Sequence, residues 1–327
     1  MNYNAPAWLP GGNLQTIYAA RFAPSYAGAA PAYRRERWAT PDADFIDLDW
    51  LAAPTSSEKP LVVLFHGLEG SSQSHYALAF AHYCRLNNLA FVVVHFRGCS
   101  GEINLAPRAY HSGDFEEIDW IVKRMRSART GPIYCVGISL GGNALLRWAQ
   151  EAGEIAKDTV RAVAAVCSPI DLAASGRAIG KGFNRHVYTR MFLQTMRPKA
   201  LLKLTQFPRL FNKQAMENAR DLYDFDNVFT APLHGFKNTE DYWERASAKP
   251  RLHEIKIPAL VVNALNDPFV PASSLPHAAA VGSHVTLWQP AQGGHVGFPM
   301  GNFPAHLKTL PEQIGTWFEQ SQGGVHG

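Results

Sequence analysis

Five apolar runs limit what this chain can fold into. "LVVLFHG" (Leu61–Gly67), "AFVVVHFRG" (Ala90–Gly98), "IYCVGIS" (Ile133–Ser139), "VRAVAAVCSP" (Val160–Pro169) and "IPALVVNALND" (Ile257–Asp267) are rich in β-branched residues and continuous rather than alternating. A strand with one wet face alternates apolar and polar residues, whereas a strand covered on both faces does not. "HVTLWQP" (His284–Pro290) is a shorter candidate of the same kind. The stretches between the runs have helical spacing. Ser74–Asn88 places Tyr76, Phe80 and Tyr83 on one side and opens on a capping serine. Ser112–Ala128 begins with acids and ends with bases, which suits a helix dipole. Gly141–Gly153 follows Ser139 directly. Alternating strands and helices predict an α/β fold, a mostly parallel central sheet with helices on both faces.

From Leu172 to about Lys249 the rhythm stops, with aromatics, Arg and Met in place of buried strands. The expected organisation is a core of residues 1–171 and 250–327 with a helical cap, 172–249, inserted between late strands. The insertion has its own charge pattern. Leu172–Met216 contains no acid but nine bases: Arg177, Lys181, Arg185, Arg190, Arg197, Lys199, Lys203, Arg209 and Lys213. Gln214–Arg245 holds seven acids against three bases. Two expectations follow: pairing between the halves of the insertion, or a positive lid that attracts anionic esters. Within the basic half, "ALLKLTQFPRLFNK" (Ala200–Lys213) mixes Leu and Phe with bases, as a segment making transient contact with a membrane surface would.

A net charge of +4 over 327 residues is too small to indicate a nucleic-acid partner. No apolar run reaches the roughly 18 residues of a membrane span. "MNYNAPAWLPGGNLQ" lacks the basic and apolar regions of a signal peptide, and the four cysteines form no CxxC, so a reduced, cytoplasmic protein is expected.

The run ending at Ser139 carries the chemistry. Gly137-Ile138-Ser139-Leu140-Gly141 fits G-x-S-x-G, placed where the motif has meaning, after a buried strand and opening a helix. The helix N-terminus favours developing negative charge, and small flanking residues relieve the crowding of the turn. A serine hydroxyl needs a base to take its proton. Of thirteen histidines, His295 in "QGGHVGF" stands out, on a glycine-bearing loop after the last strand candidate. The imidazole needs an acid to fix its tautomer. Asp267 ends a strand before Pro268; its rival Asp171, in "SPIDL", reads more easily as a helix start. An oxyanion requires donors. The N–H of Leu140 is one, and the loop "FHGLEGSS" (Phe65–Ser72) offers that of Leu68 as the other. His66 in that loop reads as a brace. Acyl transfer of this kind calls for neither metal nor organic cofactor.

These stretches together resemble the α/β-hydrolases over nearly the whole chain, and more narrowly the YheT-like esterases of bacteria. The eukaryotic relatives of that branch include acyl-lipid hydrolases and plant embryogenesis-associated proteins. The likeness is carried by "PAWLPGGNLQTIYAA", "HGLEGSSQSHY", "HFRGCSGEINLAPRAYHSGD", "GISLGGNALLRW", "DYWERASA", "NALNDPFVP" and "GGHVGF". It implies a Ser139–Asp267–His295 charge relay, whose order along the chain is that of the α/β-hydrolases. It supports the reaction type better than the substrate.

The remaining candidates are weaker. His111, Asp114 and Glu117 are close together but read as an acidic helix start, so no metal site is assigned. Arg97 and Cys99 follow a strand end, either lining the pocket or forming a loop in which Arg97 binds backbone carbonyls. Phe183, Met191, Phe192, Met196 and Leu201 of the insertion are the candidate acyl-binding residues. The expected activity is a carboxylesterase for short- to medium-chain esters. The alternatives are a lipase, phospholipase or thioesterase with the same triad, and a non-catalytic protein that keeps the fold to bind a ligand or partner.

Overall fold

The computed structural model describes residues 1–52 and 56–322. Helix α1 (Gly12–Arg21) precedes an antiparallel hairpin, β1 (Tyr33–Ala39) and β2 (Phe45–Leu51). The alternation then begins: β3 (Leu61–Phe65), α2 (His75–Leu86), β4 (Ala90–His95), α3 (Phe115–Ser127), β5 (Ile133–Ile138), α4 (Leu140–Ala152), β6 (Ala162–Val166). After a helical segment opened by α5 (Leu172–Ile179), β7 (Ala259–Val262) and β8 (Val285–Trp288) complete the sheet, and the helix Thr309–Gln322 packs on its face.

The eight strands lie in the order β1-β2-β4-β3-β5-β6-β7-β8. β2 is antiparallel to both β1 and β4, and every other pairing is parallel. The continuous runs are explained by the two faces they serve. Leu61, Val63 and Phe65 of β3 point toward α3 and α4, where they join Ile118, Ile121, Leu145 and Trp148. Val62 and Leu64 point the other way, to Phe80 and Cys84 of α2 and Ile314 of the helix Thr309–Gln322. The hairpin follows another logic. Asp47 and Asp49 of β2 are buried and satisfied by Arg37 and Arg35 of β1, while Asp49 also bonds His95 and Ser72. Charge on β1 also discourages further strand pairing at that edge.

Between β6 and β7 the chain is entirely helical and turn, without a strand among the described residues. Its two ends close on each other: Lys249 N–H donates to Ile170 O at 2.9 Å and Leu172 N–H to Ser247 Oγ at 2.9 Å. Asp171 caps α5 by accepting from Ala174 N–H and pairs with Lys249. No described helix is long and apolar enough to cross a membrane.

Candidate active site

In a parallel sheet, ligands gather at the carboxyl ends of the strands where the winding reverses. Here the chain leaves β3 for β4 on one side and returns to β5 on the other, so the reversal lies between β3 and β5. The loops after those strands carry Leu68 and Ser139.

Ser139 has φ 50° and ψ −118°, a left-handed backbone that a non-glycine residue adopts only at a cost of order 1–3 kcal/mol. The sequence makes room for it. A Cβ on Gly137 would stand 2.5 Å from Gly142 Cα, one on Gly141 2.5 Å from His66 O, and one on Gly142 1.9 Å from Ser168 Oγ. With these three positions bare, β5 can turn sharply into α4 and present the hydroxyl. The β3 loop passes close by: a Cβ on Gly67 would lie 3.2 Å from Ser139 Cβ. His66 braces that loop, its Nδ1 against Gly67 O at 2.7 Å and its Nε2 accepting Phe96 N–H at 3.0 Å. Burial drives its pKa down to about 3, so the ring is neutral. Leu68 and Leu140 both border the cavity described below, and among the described residues the N–H of neither has a hydrogen-bond acceptor.

His295 Nε2 lies 3.0 Å from Ser139 Oγ, and His295 Nδ1 lies 2.9 Å from Asp267 Oδ2. The Asp267 side chain is wholly buried, and its Oδ1 also accepts the N–H groups of Phe269 and Val270 at 2.7 and 3.2 Å. The ring of Phe269 lies on the imidazole with centroids 4.1 Å apart. Beneath them Cys167 has a thiol that burial keeps protonated, and it accepts the N–H of Val296 at 3.2 Å.

The loops bearing the acid and the imidazole are joined by a helix that sequence reasoning did not associate with the site. Gln15 of α1 is fully buried. Its Oε1 accepts from Gly293 N–H at 2.9 Å and Asn266 Nδ2 at 3.0 Å, and its Nε2 donates to Leu9 O and Gln292 Oε1. Thr16 Oγ1 accepts the N–H of His295 itself at 2.8 Å. A Cβ on Gly12 would fall 1.8 Å from Asn266 O, and one on Gly294 2.7 Å from Gly12 O. The stretch "GGNLQT" is the only sequence signal that could have pointed here.

Above Ser139 lies a cavity of about 110 Å³, floored by Leu68, Ser139, Leu140 and His295. Its apolar walls come from Leu172, Ile179, Phe192, Met196 and Trp243 of the helical segment and from Phe269. A second chamber of about 70 Å³ shares Leu68, Leu140, Met196, Asp226 and Tyr242 with it and continues toward Tyr110 and Lys199. Lys199 ties the helical segment to the β3 loop through Glu69 Oε2 at 2.8 Å, next to Leu68. Asp226, in the roof of both chambers, accepts from Trp243 Nε1 and Thr230 Oγ1 and has no cationic partner among the described residues; desolvation raises its pKa to about 6.

Of the acyl-binding candidates, Phe192 and Met196 border the cavity, whereas Phe183 and Met191 do not. The latter are 53% and 40% exposed. Phe192 and Met196 are one turn apart on the inward side of the helix Arg190–Gln206, which turns the neighbouring Met191 outward. Leu201 packs with Phe225 and Phe229. In Ala200–Lys213, Leu201 and Phe211 face that inner cluster and Lys203 is buried with its ammonium on the carbonyls of Asn104 and Ala106, while Leu202 is exposed. Arg97 binds carboxylates rather than carbonyls, meeting Asp42, Asp44 and Glu117, while Asp114 pairs with Arg108. Of the nine bases of Leu172–Met216, only Lys199 and Lys213 are ion-paired among the described residues, with Glu69 and Glu217. Among the other acids of Gln214–Arg245, Glu240 is engaged by Tyr223 and Asp241 by Arg245.

A serine held in a strained turn at the switch point of this sheet, under a helical roof, defines a class. The chain belongs to the α/β-hydrolase family, whose model, described as alpha/beta hydrolase fold, matches residues 60–301. Within it the chain falls in the YheT-like branch. It is 36% identical over 287 residues to YheT of Escherichia coli K12, named as a candidate esterase, covering 86% of this chain and 83% of that one. It is 27% identical over 311 residues to the phospholipase ABHD3 of Homo sapiens, covering 92% and 75%. Among solved structures, the Pyrococcus furiosus esterase Pf2001 superposes with a TM-score of 0.54 at 16% identity over 89% of this chain and 93% of that one, a likeness of fold. The chain is an enzyme of the ester-hydrolysing type.

Proposed function

We propose that the protein is a serine carboxylesterase acting on short- to medium-chain acyl esters through an acyl-enzyme on Ser139. The reading rests on one observation, the hydrogen-bonded line from Ser139 Oγ through His295 to Asp267 at the floor of a cavity. Ser139 Oγ attacks the ester carbonyl carbon as its proton passes to His295 Nε2. Asp267, held by Phe269 and Val270 N–H, stabilises the imidazolium and keeps the other ring proton on Nδ1. The N–H groups of Leu68 and Leu140 receive the oxyanion; one such donor is typically worth about 10²–10³ in rate. The intermediate collapses, His295 returns the proton to the departing alcohol, and the acyl group stays on Ser139. Water, deprotonated by His295, then attacks the acyl carbon and releases the acid.

Residues 172–249 serve in this reading as a cap that supplies the apolar side of the site. Phe192 and Met196 are the acyl-facing residues within it. The main cavity, about 110 Å³, is small beside the roughly 300–1,000 Å³ of pockets for drug-sized ligands, which favours a short acyl chain. The test is hydrolysis of p-nitrophenyl esters of graded chain length by the wild-type chain and Ser139→Ala. A kcat/KM maximum at short to medium chains, lost in the variant, is expected. A maximum only on long-chain phospholipids or on acyl thioesters would replace this substrate class with a phospholipase or thioesterase one.

A further inference from the structure

Four bases of the helical segment that lack an ion pair lie together. Arg185, Arg190, Arg197 and Arg220, with His186, line one open groove on its outer surface, and no acid lines it. None of the four arginines has a carboxylate within ion-pair distance among the described residues. The acids nearest in sequence, Asp221 and Asp224, accept backbone N–H groups in their own turn. Arg197 donates to Ala219 O, which fixes the wall of the groove. Local charge of one sign that is left uncompensated costs stability through self-repulsion, so the protein gains nothing internally from the cluster.

The side chains beside it are equally unusual. Across Gly182–Asn184, the π-helical turn Arg185–Thr189 and the start of Arg190–Gln206, the wider turn brings residues four apart into line. Phe183, Val187 and Met191 therefore form one ridge, 53%, 37% and 40% exposed, while Tyr188 is buried and Phe192 is turned inward. The ridge adjoins the catalytic machinery. Phe183 meets Tyr188 with centroids 6.1 Å apart, Tyr188 meets Phe269 at 4.6 Å, and Phe269 lies on His295 at 4.1 Å. An apolar ridge flanked by unpaired arginines has the complementarity of an interface-lying segment: side chains for the acyl boundary, cations for anionic headgroups.

We propose that this face, with Phe183, Val187 and Met191 inserted and Arg185, Arg190 and Arg220 on headgroups, docks the enzyme on an anionic lipid bilayer. Docking adds to the ester-hydrolase reading the physical form in which substrate arrives. Binding is measured apart from turnover, so either can fail without the other. The full chain is sedimented with vesicles of phosphatidylcholine alone and with about 30 mol% phosphatidylglycerol. Partition to the anionic vesicles is expected to exceed that to the neutral ones at least tenfold and to fall in 0.5 M NaCl. Arg185→Gln/Arg190→Gln/Arg220→Gln should lose about a hundredfold, taking fivefold per basic residue at an anionic surface. Phe183→Ser/Val187→Ser/Met191→Ser should lose binding in low salt as well. Both variants should hydrolyse soluble p-nitrophenyl acetate like wild type, which reports an intact fold, and Ser139→Ala should bind vesicles like wild type. Wild type that ignores anionic vesicles, or a triple-Gln variant that binds them unchanged, would overturn docking. Retention on heparin without vesicle binding would overturn it too, and would assign the groove to an acidic macromolecule.

Discussion

Gln15 offers a severe test of how the site is held, because it touches no reacting atom. Replacing it with Met keeps the volume and the unbranched stem while removing four hydrogen bonds. Two of the abandoned partners, Gly293 N–H and Leu9 O, belong to buried residues, and each buried group left unsatisfied costs about 1–3 kcal/mol. The expected loss is thus about 2–6 kcal/mol, which at about 2.1 cal/mol/K of unfolding entropy per residue lowers Tm by about 3–9 °C in a chain of this size. The loops carrying Asp267 and His295 also lose their common tie. Misplacing a catalytic group by about 1 Å costs on the order of 10²-fold, so kcat/KM should fall by about 10–100-fold, mostly in kcat. Thermal unfolding and steady-state hydrolysis of p-nitrophenyl butyrate measure both quantities. Ile121→Ala in α3 is the control, a fully buried core truncation remote from the loops and of similar expected cost. It should lower Tm comparably and leave kcat/KM within about twofold. If Gln15→Met keeps wild-type kcat/KM, or loses no more than the control does, α1 does not position the site.

Other outcomes follow from individual side chains. Asp226 has its pKa raised by burial from 3.8 to about 6, so the native state holds that proton more tightly than the unfolded chain. Stability is therefore lost as pH rises between those values and stays lost above them. Asp226→Asn should gain on wild type by up to about 3 kcal/mol between pH 4 and pH 7, read by denaturant unfolding, and a difference flat with pH would refute this. Gly142→Ala places a methyl against Ser168 Oγ and should cost about 1–3 kcal/mol together with most of the activity, with Ser168→Ala restoring part of the stability. Full activity in Gly142→Ala would mean that the turn at Ser139 has slack.

The parts of this protein that could be read in advance are those where one physical demand governs a stretch of sequence. Burial on two faces makes β3 to β7 continuous apolar runs, and their ends coincide with turns that Gly and Pro make visible. The strained turn at Ser139 can be read because three neighbouring positions must lack a side chain. Asp267 and His295 can be read as candidates because each follows a strand end, and the structure brings them within hydrogen-bond reach of each other and of Ser139. The hairpin is harder, because its buried acids are neutralised by arginines from β1, whose sequence "YRRERWA" is mostly charged. Gln15 and Thr16 lie far away in sequence and reveal their part only when α1 meets the loops after β7 and β8. In the helical segment, apolar character alone does not fix direction. The π turn and the helix phase decide that Phe192 and Met196 face the cavity while Phe183 and Met191 face out. The charge of that segment was visible, but not whether its acids would answer its bases, since pairing depends on tertiary geometry.

The most direct measurement is covalent: exposure of the native chain to a fluorophosphonate probe, with the modified peptide located by mass spectrometry. A single adduct on Ser139 is expected, absent in Ser139→Ala and formed at least a hundredfold more slowly in His295→Gln. An unlabelled wild-type chain, or equal labelling once the position-139 hydroxyl is removed, would contradict the assignment of Ser139 as the nucleophile.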